Sequence, residues 1–198
     1  MSRFRFSRRL TALAATCAAA LLIAPAARGQ SNAPPEEFTA FGIYMGQIAT
    51  GATQQIILNI SRWSSDAEQE QVMATLKEKG QQGLISLFRK GRPVGTIRTP
   101  HSVGYDLQLA YQEPAAEGGR RIIIATDRPI GFAEATARPQ SMDYPFSVVE
   151  ILMPKEGTGQ GTLSLAARFV SAGKRVIVEN FDTAPVQLNN VQARVTKK

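Results

Sequence analysis

Residues Arg120 to Ile130 set Ile122, Ile123 and Ile124 between a charged start and a charged end closed by Pro129. An uninterrupted apolar run of this length, rich in β-branched residues, predicts a central strand buried on both faces. Its expected neighbours flank it. Before it, Tyr105, Leu107, Leu109 and Tyr111 alternate with Asp106, Gln108, Ala110 and Gln112, the pattern of a half-buried strand. After it, Tyr144 to Met153 forms an apolar strand.

The same alternation predicts Phe38 to Met45 as a first strand, with Phe41, Ile43 and Met45 on one face. Gln54 to Trp63 is a second, with Ile56, Leu58 and Ile60 inward. The period then becomes helical. Ser65 and Glu68 have the spacing of a capping box, Val72, Met73 and Leu76 follow, and Gly80 suits a stop. A second short helix, Gln81 to Lys90, ends at Gly91, so a helical hairpin is expected, covering an open end or face of the sheet. From Pro93 onward the chain reads as strands: Val94–Thr99, a small one at Phe132–Thr136, Thr162–Val170 with Leu163, Leu165 and Phe169 on one side, Lys174–Phe181 and Val186–Val195. The last slips a step at Asn189-Asn190, which predicts a bulge. The expected fold is mainly β (α+β): an antiparallel barrel or sandwich of about nine strands with a helical hairpin inserted after the second.

Charge and leader composition decide where such a domain works. The chain has 198 residues and a formal net charge of +7. Arg3, Arg5, Arg8, Arg9 and Arg28 lie in the first 29 residues, which contain no acid; the rest keeps 18 Lys+Arg against 16 Asp+Glu, a net of +2. The basic character thus belongs mostly to the leader, and a nucleic-acid partner is not expected. The leader has a basic start, an apolar run from Leu10 to Ala24 and small residues at its end, the three parts of a secretory signal peptide. Cleavage is expected after Ala26 or after Gly29, with residues 1–29 taken as the signal peptide. Ser7-Arg8-Arg9 hints at twin-arginine export, but Thr11 replaces the usual large apolar residue, which favours ordinary secretion. Residues 30–37, with Pro34-Pro35 and two Glu, read as a tether, and 38–198 as a single domain. The expected location is the bacterial periplasm or the exterior. No later segment reaches the length of a membrane span, so none is expected after cleavage.

The only cysteine, Cys17, sits inside the leader. The remaining domain is therefore expected to hold no disulfide, no thiol nucleophile and no cysteine metal site. His101 is the only histidine, too little for an ordinary zinc site. No Gly-x-Ser-x-Gly elbow accompanies it, so it reads as a loop residue. Gly157 to Thr162 has the look of a phosphate loop, but Thr162 to Leu165 alternates like a strand rather than opening a helix, which makes it a hairpin turn. No catalytic residue, metal or cofactor is expected.

Binding candidates are weaker signals, each with a plain structural alternative. Arg128, beside Asp127 at the exit of the Ile strand, offers a fork for a carboxylate; the pair equally suits a local ion pair pinning the turn. Trp63, Tyr105, Tyr111, Tyr144 and Phe146 suit either an apolar cavity or ordinary core. Glu134 and Glu150 are the carboxylates best placed to be perturbed, and two acids at the right separation cleave glycosides.

The leader, the strand pair and helical hairpin, Gly91-Arg92-Pro93-Val94-Gly95, Ala125 to Ile130 and Asp143-Tyr144-Pro145-Phe146 together resemble a group of uncharacterised exported bacterial proteins. The likeness extends over most of the chain beyond the leader. It implies a location and no mechanism, and carries over no functional residue. The leading expectation is an exported, non-catalytic β-rich protein. Any ligand would be a small, partly apolar molecule in the interior near the helical hairpin, touching Trp63, Tyr105, Tyr111, Arg128 and Tyr144. The alternatives are a hydrolase using acidic residues and an envelope protein that binds a protein partner through an exposed strand edge. An enclosed cavity, two converging acids or an unpaired strand distinguishes the three.

Overall fold

The fold is taken from a computed structural model that describes residues 33–44, 53–115, 118–131, 140–172, 175–181 and 184–196. The expected strand at Phe132–Thr136 lies outside the described residues. In chain order the elements are β1 (Glu36–Ile43), β2 (Thr53–Ile60), α1 (Asp66–Lys90), β3 (Gly95–Arg98), β4 (Tyr105–Leu107) and β5 (Leu109–Pro114). They continue with β6 (Arg120–Thr126), β7 (Phe146–Met153), β8 (Gly159–Ala172), β9 (Arg175–Asn180) and β10 (Val186–Val195).

All pairings are antiparallel, in the order β4-β3-β2-β1-β10-β8-β7-β6-β5, with β9 added beside β8. The two ends of that order, β4 and β5, are consecutive in the chain with only Gln108 between them. The sheet therefore curls into a nearly closed barrel, which leaves few unpaired edges. The pairing on each side runs up to this junction: the Gln108 N–H donates to the Ala125 carbonyl of β6 at 2.9 Å, and the Val94 N–H, just before β3, to the Leu107 carbonyl of β4 at 2.7 Å. Ser64 also ties the segment after β2 to β5: its N–H donates to the Ala110 carbonyl at 2.8 Å, and its Oγ accepts from the Ala110 N–H at 3.1 Å. The expected single strand from Tyr105 to Gln112 is thus two. Its apolar face also switches at Gln108: Leu107 points into the barrel, whereas Leu109 and Tyr111 point out.

The wall has two buried faces. Inside are Phe38, Leu58, Ile60, Trp63, Ile122, Ile124 and Ile151 with their neighbours. Outside, Leu109, Tyr111, Ile123, Phe146, Ala167 and Phe169 meet Val72, Leu76, Leu84 and Phe88 of α1. Ile123 and Ile124 therefore serve different cores, as a strand buried on both faces requires. The helical segment covers the outer face of the wall and not a mouth of the barrel.

The helix begins with the expected capping box: Ser65 Oγ accepts from the Glu68 N–H at 3.2 Å, and a Glu68 carboxylate oxygen accepts from the Ser65 N–H at 2.7 Å. The two helical segments expected on either side of Gly80 are both present, joined directly with no intervening loop at a break at Gly80, whose φ of 60° and ψ of −155° suit only glycine. A Cβ at Gly80 would meet nothing within 4 Å, so the cost of a side chain there is conformational, not steric. Gly80→Ala is accordingly expected to lose about 1–3 kcal/mol, where the same change in a regular helix gains about 1 kcal/mol. Urea unfolding of the two proteins checks the sign.

Three further departures concern which way side chains face. In β1 the inward positions are Glu36, Phe38 and Ala40, and Phe41 is exposed, the reverse of the expected face. Glu36, expected in the tether, is the buried first residue of β1. In β8 the register to β7 shifts between Phe146 and Val148, so Leu163 faces the barrel interior while Phe169 faces the helix. The bulge expected in the last strand is present. Thr39 pairs with Gln192 but Phe41 with Asn189, one extra residue on β10, and Asn190 takes the left-handed φ of 53°. Gly157, at φ 91°, lies in the β7–β8 turn, and β8 begins two residues later at Gly159.

Candidate functional site

The five residues expected to hold a ligand do not share one place. Trp63 is in the barrel core, its ring 6.4 Å edge-on from Phe38 and its indole N–H donating to the Pro34 carbonyl at 3.0 Å. Tyr111 lies on the other side of the wall, under α1, where burial pushes its phenol pKa up. Tyr105 and Arg128 are exposed. Tyr144 packs against Phe181 and Arg168 on the face of β8 and β9.

A side chain that borders a water-sized void keeps accessible surface on it. Phe38, Leu58, Ile60, Ile122, Ile124 and Ile151 keep none, so this stretch of the barrel interior is filled by the protein's own side chains. One charged pair shares it. Arg120 forks onto Glu36 at 2.6 and 2.8 Å, also donates to Gln112 Oε1 at 2.9 Å, and its guanidinium carbon lies 5.7 Å from the Phe38 ring centre. With both carboxylate oxygens engaged, this cluster reads as a plug on the interior.

Of the acidic residues singled out in the sequence, Glu150 and Asp127 are also paired. Glu150 accepts from Arg121 at 3.0 Å, and Arg121 reaches Glu113 at 3.6 Å, so one guanidinium bridges two carboxylates on the outer wall. Asp127 accepts from Arg89 Nε at 3.2 Å, which fastens the last turn of α1 to the end of β6. The Asp127–Arg128 turn is held by other groups. Thr126 Oγ1 accepts from the Arg128 N–H at 3.0 Å, and Gln140 Nε2 donates to the Arg128 carbonyl at 3.1 Å and to Ser147 Oγ at 3.2 Å. His101 sits in the exposed β3–β4 loop. Glu134 lies outside the described residues. Among the described residues no three His, Cys, Asp or Glu gather as metal ligands.

What the structure does assemble is a two-stranded ribbon of β8 and β9. The first part of β8 runs between β7 and β10; from Ala167 on, it pairs with β9. Its opposite edge there is taken by a side chain: Gln81 Nε2 donates to the Phe169 carbonyl at 2.7 Å, and Gln81 Oε1 accepts from the Phe169 N–H at 3.2 Å. Gln81 immediately follows the Gly80 break, so the turn in the helix delivers this cap. Nothing in the sequence pattern marks it.

The Gln81 contact also fixes the outer edge of the ribbon. Both backbone groups of Phe169 point away from β9, so Phe169 and its partner Val178 are a non-hydrogen-bonded pair. By alternation the N–H and C=O groups of Val176, Val178 and Asn180 point outward from β9. The Phe181 N–H donating to Ala166 at 3.0 Å fits the same alternation. Among the described residues β9 pairs with β8 alone.

The ribbon's two faces differ. Val176 and Val178 pack toward the helix-covered core. On the other face Val170 and Ile177 are opposite each other, and Ile177 is 51% exposed. Beside them Arg168 and Glu179 form an ion pair at 2.9 Å, with the Arg168 guanidinium 5.0 Å from the Tyr144 ring centre and Tyr144 Oη donating to Glu179 at 3.3 Å. Tyr144 in turn lies 5.0 Å from Phe181, centre to centre. Aromatic and arginine side chains around exposed aliphatics, next to a strand edge, are the composition of a protein-binding surface. Comparison with known protein families, curated proteins and solved structures gives no match to this chain.

Proposed function

We propose that the protein is an exported, non-catalytic β-barrel that works by binding a polypeptide along the β9 edge. The observation that carries this reading is the outer edge of β9. Three residues present outward backbone groups there, beside an exposed isoleucine, and among the described residues no strand pairs with them. Main-chain hydrogen bonds to an added strand supply affinity, and alternate side chains supply selectivity. The filled stretch of the interior around Phe38 and Ile122 and the pairing of Glu36 and Glu150 give the small-ligand and hydrolase readings less to stand on. The leader supports export to the periplasm or beyond, and among the described residues no helix is long and apolar enough to cross a membrane.

Photo-cross-linking in the producing cell tests this. With a benzophenone amino acid at Ile177, a covalent adduct with a polypeptide is expected; with the same group at Leu152, 58% exposed on the outer wall, none is expected. Absence of any adduct from position 177 would refute edge binding.

A further inference from the structure

The geometry points to a second copy of this chain as the polypeptide on the β9 edge, an inference that rests on the edge-binding reading above. Two β9 strands meeting antiparallel about a two-fold axis must match outward backbone groups with outward backbone groups. Those belong to the even-numbered residues Val176, Val178 and Asn180, so only registers that pair even with even form bonds. Besides the register centred on Glu179, which sets the two Glu179 carboxylates face to face and is excluded by their repulsion, three such registers keep the strands centred. One centred on Val178 sets Ile177 against the charged Glu179 of the other copy. One centred on Val176 sets Ile177 against position 175, an arginine in the sequence. The register centred on Ile177 avoids both mismatches.

In that third register Val176 exchanges backbone hydrogen bonds with Val178 of the second copy, and Val178 with its Val176. Ile177 meets Ile177 on the axis, in a non-hydrogen-bonded pair where side chains approach most closely. Glu179 falls opposite position 175, so an acid faces a base on each side of the axis. Val170, cross-strand from Ile177, widens the apolar centre in both copies. The chosen register is therefore the one in which backbone bonding, apolar contact and charge agree. It would join two ribbons into a continuous four-stranded sheet.

Cysteine pairing reads this register directly. In a non-hydrogen-bonded antiparallel pair the Cα atoms are about 4.5 Å apart, within the span of a disulfide. In a Cys17→Ser background, which removes the native cysteine, Ile177→Cys is expected to form a disulfide-linked dimer with oxidised glutathione as oxidant. Glu179→Cys is expected to stay unlinked, because its counterpart is position 175. Sedimentation velocity supplies an independent reading. The parent chain should sediment as a dimer, Ile177→Lys should raise the dissociation constant at least tenfold by setting two ammonium groups face to face, and Leu152→Lys should leave it unchanged. Ile177 and Leu152 are both exposed, so thermal unfolding should show each variant folded.

A monomeric parent together with an unlinked Ile177→Cys variant would overturn the second-copy inference. If position 177 then still photo-cross-links to another polypeptide, edge binding stands and only the partner is wrong. If it cross-links to nothing, both fall. Equal linking of Ile177→Cys and Glu179→Cys would also overturn the proposed register.

Discussion

Phe146→Ala is expected to lower the unfolding free energy by about 3–5 kcal/mol. Phe146 is fully buried on the outer face of β7, with the Phe88 ring of α1 5.3 Å away and the Phe169 ring of β8 5.1 Å away, centre to centre. It is the side chain through which the helix, the barrel wall and the ribbon meet. Truncation removes its transfer free energy and leaves a void that three separate elements would have to move to close. Phe146→Leu keeps most of the volume and should cost clearly less. Urea unfolding followed by circular dichroism measures both; a loss below about 1 kcal/mol for Phe146→Ala would show that the helix is not held where the structure puts it.

Arg120→Met is expected to cost about 2–3 kcal/mol, below the range for a fully buried broken pair because Arg120 is partly wet. The Glu36 side chain is 6% exposed and that of Arg120 30%. Loss of the guanidinium would leave Glu36 with its charge nearly buried and without this partner, and Gln112 Oε1 without this donor. The destabilisation comes from the stranded acid rather than from the lost attraction, so the double variant Glu36→Met, Arg120→Met should recover most of the stability. A double variant as unstable as Arg120→Met would show that the pair does more than satisfy itself.

The parts of this fold legible in the sequence are those fixed by near neighbours. The capping box at Ser65 and Glu68, the turn at Gly157, the bulge at Asn190 and the double burial of Ile122 to Ile124 all follow from local spacing. What was not legible depends on partners far along the chain. Glu36 reads as part of a polar tether until Arg120, 84 residues away, gives its carboxylate a place in the interior. The face reversal within β8 is imposed by its register against β7, and the switch between Leu107 and Leu109 by closure of the barrel.

The candidate binding residues failed to converge for a related reason. An apolar residue on a strand shows by its type that it is buried, not which side of the wall buries it. Here both sides are covered, one by the barrel interior and one by α1. Trp63 and Tyr111 thus read alike in sequence and sit in separate cores. The ribbon edge gave a weaker signal still: Arg175 to Asn180 reads as one more strand, and only its pairing shows the outer edge.

Native mass spectrometry of the exported protein, purified from its host without denaturation, tests most directly whether function lies on the ribbon edge and not in the interior. The predicted result is twice the mass of the processed chain with no additional small-molecule mass. A single chain carrying a non-covalent small molecule that leaves on unfolding would contradict it.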